Sequence, residues 1–214
     1  PLPCVPAGLV VLMFRRPPRP TRFPFTALVR SDRVGGRTAT HDSPFGSFDA
    51  GAQYFTVRDE RFGQALDTVP GVFRPWSANA VRVLDATGRV SAASQPTNEP
   101  HWVASPGMDA LAQAWAQPLL QAGNLYLNAH VVRIQRDRLD AGQWQVHAES
   151  ADGAQQVVAG FDGVLLAQPA DPARALLDAS ALKTPLVAAM ANVVTAPCWT
   201  LMLAFPQAVR PGLT

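Results

Sequence analysis

Apolar and polar positions along this chain change character near residue 25. Before it, prolines at 1, 3, 6, 17, 18, 20 and 24 interrupt the apolar runs. Proline removes a backbone donor and fixes φ, which bars a continuous helix or a central strand. Residues 9–14 form a short apolar patch inside what composition predicts to be a disordered, solvated tail over 1–25. Beyond it the patterning becomes regular. Residues 26–29 predict a short buried strand running into the Gly35-Gly36 turn, and 81–84 with 87–90 predict a hairpin about a glycine turn. Pro106-Gly107-Met108-Asp109 opens a predicted helix with Leu111, Ala112, Trp115 and Leu119 on one face.

Residues 126–134 predict one strand, and 143–148 alternate cleanly, as a strand with one buried face does. Val157-Val158 adds a third. Residues 161–167 form a largely apolar run, which predicts a strand buried on both faces. A helix is expected over 171–179, with Asp171 as N-cap and Pro172 at the first position. Another is expected over 185–194, and a last strand over 198–205. The pattern is that of a mixed α/β protein without internal repeats.

Composition narrows the function classes. Apolar residues make up 48% and charged residues 16% of the 214, enough to bury a core. No apolar run approaches the ~20 residues that a membrane helix needs. No signal-peptide pattern precedes or follows residues 9–14. The expected location is cytoplasmic, with Cys4 and Cys198 as free thiols. The net charge of +2 is uneven: seven arginines face one acid, Asp32, in residues 1–37, and 11 basic face 15 acidic residues afterwards. The body is mildly acidic, so neither nucleic acid nor membrane is an expected partner; a small-molecule substrate is. The Arg15-Arg16-Pro17-Pro18-Arg19-Pro20 run admits an SH3-type or phosphate contact besides a solvated tail. His41, His101, His130 and His147 lack metal-ligand spacing, no Ser-His-Asp set is legible, and Asp59-Glu60 reads as a cap or solvated pair.

The most informative chemistry lies in two small-residue turns. Gly35-Gly36-Arg37-Thr38 combines backbone freedom with a cation, so N–H groups can approach phosphate oxygens while the guanidinium adds charge-assisted bonds. Glycine pairs are common in turns, so this turn is uninformative by itself. Gly51-Ala52-Gln53-Tyr54 follows, within Asp49-Ala50-Gly51-Ala52-Gln53-Tyr54-Phe55-Thr56. Its small residues let backbone approach a flat ring, and Gln53 and Tyr54 offer hydrogen bonds; a hairpin with buried aromatics is the plain alternative.

The order of these segments resembles the amine-oxidase-like FAD oxidoreductases, and within them the bacterial renalase-like branch. Residues 31–40 resemble that family's second glycine motif, and 49–56 the segment beside its isoalloxazine ring. Trp102-Val103-Ala104-Ser105-Pro106-Gly107-Met108, Val131-Val132-Arg133-Ile134, residues 161–170 and Ala196-Pro197-Cys198-Trp199 continue the likeness across about residues 30–206. The resemblance implies FAD as cofactor, with Gly35, Gly36, Arg37, Thr38, Gly51, Ala52, Gln53, Tyr54 and, through its backbone, Val132 as binding residues. It names no catalytic residue. It implies a FAD/NAD(P)-binding Rossmann-like domain, residues 26–56 and 125–170, with an inserted mixed β-sheet substrate domain, residues 57–124 and 171–214, both truncated. The implied activity is hydride transfer from an amine or a reduced nicotinamide-type substrate to flavin N5, with reoxidation by dioxygen.

The amino end departs from that pattern. No Gly-x-Gly-x-x-Gly precedes residue 31, and the acidic residue expected to hold the ribose falls at Val29. A further cofactor-contacting glycine segment is expected beyond Thr214. Seventeen of the 18 basic residues are arginine, as in a GC-rich gene, so the expectation is a frameshifted or fragmentary gene model behind the Arg/Pro-rich start. The alternative function is a non-catalytic remnant of such a flavoprotein that no longer retains FAD.

Overall fold

The computed structural model of the chain describes residues 10–15, 25–76, 82–85, 87–93, 99–196 and 198–205. In chain order the elements are β1 (Val10–Phe14), β2 (Phe25–Val29), a 3-10 turn (Gly36–Thr38), β3 (Thr40–Ser43), β4 (Gly46–Asp49), β5 (Phe55–Thr56), α1 (Glu60–Asp67), β6 (Phe73–Pro75), β7 (Arg82–Leu84), β8 (Val90–Ala93) and β9 (His101–Ala104). There follow α2 (Ala110–Gln121), β10 (Leu125–Tyr126), β11 (His130–Arg136), β12 (Trp144–Glu149), β13 (Gln155–Phe161), β14 (Gly163–Ala167), α3 (Ala170–Ala179) and α4 (Pro185–Met190). These form two compact units, one from Pro1–Arg37 and Trp115–Trp199, the other from Thr38–Ala114 and Thr200–Thr214.

The first unit holds a sheet in the order β10-β2-β1-β14. β10 runs parallel to β2, while β1 is antiparallel to both β2 and β14. Three strands therefore share one direction and the third in the row opposes them. Val-Val-Leu-Met-Phe is strongly strand-forming and contains no proline, so β1 fits between proline-rich flanks that cannot pair in a sheet. Alternation sends Val11 and Met13 to one face, where they are buried with Leu28. They meet Val131, Ile134, Val146, Ala148 and Phe161 from the antiparallel sheet β11-β12-β13. Leu176 of α3 completes this core. Each such side chain contributes roughly 1.5–3 kcal/mol on leaving water. α3 is fixed to β11 by the buried Ser180, whose hydroxyl donates to the Leu176 carbonyl (2.6 Å) and accepts from the Ile134 amide (2.9 Å).

In the second unit, β3 and β4 form one hairpin and β7 and β8 another, the latter turning through Asp85, whose carboxylate accepts from the Thr87 amide at 2.8 Å. A three-stranded sheet has the order β5-β9-β6. α1 begins where Asp59 accepts from the Arg61 amide, the N-cap role expected of it.

Several expectations are corrected. Residues 10–14 are not tail but a central strand; the rest of the segment read as tail, 1–9 and 16–24, lies outside the described residues. Arg15 is exposed but anchored: it donates to the Ala159 carbonyl (2.9 Å) and lies over the Phe161 ring. The single strand expected over 126–134 is two, because Asn128 adopts φ 52° and breaks the run. β14 is not buried on both faces, since Leu165 is 58% exposed. α3 starts at Ala170 after Pro169, which leaves Asp171 in its first turn rather than at its cap. α4 stops at Met190, and residues 198–205 form no strand.

Candidate functional site

The Gly35-Gly36 turn follows β2 in the first unit. Its backbone is held upstream by the Ala129 amide, which donates to the Val29 carbonyl (2.9 Å), and the Asn128 amide, which donates to that of Ser31 (2.9 Å). Gly35 and Gly36 have φ 119° and 53°, values that a side chain disfavours, so the sequence requires glycine at both. Arg37 is exposed within the 3-10 turn and forms no ion pair among the described residues. In β11 the pairing register with β12 skips Val132, leaving it at a bulge. The register also sets Val29 and Ala167 opposite the two sides of Val10, so β2 and β14 end level with each other. Gln168 follows directly. Its amide nitrogen and oxygen are both buried and find no hydrogen-bond partner among the described residues.

The second small-residue turn is built differently. The Asp49 carboxylate accepts from the Thr40 hydroxyl (2.7 Å) and the Met108 amide (2.9 Å). Thr40 in turn accepts from the Asp109 amide at 3.3 Å. These side chains satisfy amides just before α2, a capping role supplied from another hairpin. Gly107 is required here because a Cβ would lie 2.6 Å from Thr40 Cγ2 and collide with its hydroxyl. The Pro-Gly-Met segment and the Asp49 segment, read separately in the sequence, are thus clamped together. Thr200 donates to the Ala50 carbonyl at 2.8 Å. Gly51, Ala52 and Gln53 are exposed, and Tyr54 is partly so.

Tyr54 belongs to an aromatic face. Phe55 pairs with Trp102 across β5 and β9, and Pro75 pairs with Trp102 across β6 and β9. Strand alternation therefore sets Phe55, Phe73 and Trp102 on one face, where ring contacts join Phe55 to Phe73 (6.4 Å) and to Phe62 of α1 (5.7 Å). Tyr54, Trp76 and His101 lie on the other. Tyr54 stacks on Trp76 with centroids 5.2 Å apart, and His101 lies 4.3 Å from Tyr54. The Trp76 amide donates to the His101 carbonyl at 2.9 Å. Nearby, Arg58 donates to both oxygens of Glu99 at 2.6 and 2.7 Å. That hydrogen bond holds the Glu99 carboxyl below the usual range and pushes the exposed Arg58 guanidinium up.

Gly35, Gly36, Arg37 and Val132 fall in the first unit; Thr38, Gly51, Ala52, Gln53 and Tyr54 fall in the second. Sequence reading missed Trp76, His101 and Gln168. The signal for the first two was alternation across three short strands, and for Gln168 a polar residue ending an apolar run. Among the described residues no His, Cys, Asp or Glu set gathers as metal ligands, and no helix is long and apolar enough to cross a membrane.

A family profile described as flavin containing amine oxidoreductase matches residues 84–213, well over half of the chain. The matched stretch runs from the end of β7 through the 198–205 segment and includes Val132, α2, α3 and α4. It starts after both small-residue turns. Mixed α/β architecture, several small sheets and this match agree, and the chain belongs to the flavin-containing amine oxidoreductase family.

Proposed function

We propose that the chain is an FAD-dependent oxidoreductase of the renalase-like type, acting on an amine or a reduced nicotinamide-type small molecule. The observation that carries this reading is the family match over residues 84–213, which implies a flavin. The residues present suit one part of FAD. Gly35 and Gly36 open backbone toward a phosphate, and Arg37 has no competing ion pair among the described residues. The bulge at Val132 takes its backbone out of the ladder, as a contact to adenine requires. The orphaned Gln168 amide supplies a donor and an acceptor level with the end of β2. When bound, FAD supplies the hydride acceptor and hands the electrons on to dioxygen. The chain's own contribution is to bind and orient, with no residue assigned to proton transfer.

The strand order β10-β2-β1-β14 supports a partial dinucleotide-binding sheet, whose ligand edge lies at the carboxyl ends of its parallel strands. Two observations favour the second reading, a remnant that does not retain FAD. β1 is reversed, so no strand-to-helix phosphate loop stands at that edge among the described residues, and Val29 is buried where a ribose carboxylate belongs. The visible spectrum of the purified chain, before and after added FAD, separates the two. Bound flavin absorption is expected; a colourless protein that takes up no FAD establishes the remnant.

A further inference from the structure

We propose that Gln168 selects the base of the cofactor, its carboxamide pairing with the amino edge of adenine, a reading that rests on the FAD assignment above. A glutamine at this place ordinarily bonds within its own fold. Here Nε2 and Oε1 are buried and find no hydrogen-bond partner among the described residues. Nor does Gln168 cap the helix that follows, since α3 begins after Pro169 without a side-chain cap. A buried amide left unpaired weakens a fold, so one placed at the end of an apolar strand points to a partner outside that fold. The residue as a whole is only partly buried. With no bond to give up, its side chain turns toward a ligand at no hydrogen-bonding cost.

Position and chemistry choose the partner. Val29 and Ala167 pair with the two sides of Val10, so the end of β14 stands two strand spacings, about 10 Å, from the end of β2. In dinucleotide-binding sheets the ribose lies at the end of that second strand, where Val29 offers no polar side chain. A nucleoside reaching from there across β1 brings its base to Gln168. A carboxamide presents a donor and an acceptor side by side in one plane. Adenine offers the complementary pair, an amino group beside a ring nitrogen, which glutamine meets with two bonds. A phosphate offers acceptors only and leaves Oε1 unpaired.

The test titrates the full chain by calorimetry with ADP and with purine riboside 5′-diphosphate, which keeps the ring, ribose and phosphates but lacks the amino group. ADP should bind about tenfold more tightly. Gln168→Met, apolar and of similar shape, should erase that difference by weakening ADP alone. The melting temperature of the ligand-free variant should not fall, because no native bond is lost. Equal binding of the two diphosphates by the wild type, which includes a contact to ribose or phosphate only, overturns the base contact. So does the absence of ADP binding, a preference that survives Gln168→Met, or a variant that melts lower or fails to fold. Visible absorbance after added FAD reports on the flavin separately. A chain that discriminates the diphosphates but takes up no FAD overturns the flavin assignment and leaves the base contact standing. One that takes up FAD and treats the diphosphates alike does the reverse.

Discussion

The two units are held together by different forces. The first has a continuous apolar core in which Met13, Leu28, Val146, Phe161 and Ile134 are fully buried. The second buries only Leu66, Ala104, Met108 and Leu111 among its apolar described side chains, and relies on ring contacts and the Asp49–Thr40 clamp. Burial is non-directional and adds up over area, whereas hydrogen bonds and ring contacts are geometric. The first unit thus resists substitution at any one polar atom, while the second turns on a few atoms being in place.

The largest effect that can break this comparison comes from the first unit. Phe161→Ala removes the largest fully buried side chain and should cost about 3–5 kcal/mol in denaturant unfolding. A loss below about 1 kcal/mol would mean that the core does not dominate that unit. Next comes the clamp. Asp49→Ala removes the acceptor for Thr40 and the Met108 amide and should cost about 1–3 kcal/mol, with Asp49→Asn milder. Hydrogen exchange locates the effect: the Met108 and Asp109 amides should lose protection while those of β12 keep theirs. Uniform loss in both would erase the distinction between the units.

The smallest effect is electrostatic. Glu99 has its folded-state pKa lowered by Arg58, so its contribution is present above the unfolded value and is lost as pH falls through the folded one. Melting temperatures of the wild type and Glu99→Gln should differ slightly near neutrality and converge below about pH 4. Because Arg58 is 77% exposed, added salt should shrink the gap further. A gap that widens in acid contradicts the ion pair's role.

What was legible in the sequence follows the same divide. Period-two alternation over residues 143–148 predicted β12, and its burial pattern has Val146 and Ala148 inside. The glycine-turn hairpin of β7 and β8 and the helix opening after Gly107 were equally plain. β1 was hidden because prolines on both sides dominated the reading of five residues that contain none. Its direction was invisible in principle, since the same alternation serves a parallel or an antiparallel neighbour. The single strand read over 126–134 failed at Asn128, one of the residue types that tolerate positive φ. At the site, the glycines and Arg37 could be named from residue type. The clamp and the aromatic face could not, because Thr40 meets Asp109, and Tyr54 meets Trp76 and His101, only through tertiary contacts.

The position of β1 also sets a timetable. Its partner β2 begins at Phe25, soon after β1 ends at Phe14, but its other partner, Gly163–Ala167, lies far along the chain. At about 5–20 residues per second of synthesis, the β1–β2 ribbon waits on the order of ten to thirty seconds for β14. Throughout that interval the β1 edge that β14 will take has no native partner. An open apolar edge is a template for pairing with another nascent chain. The late arrival of Gly163–Ala167 thus makes the open β1 edge a point of exposure during synthesis.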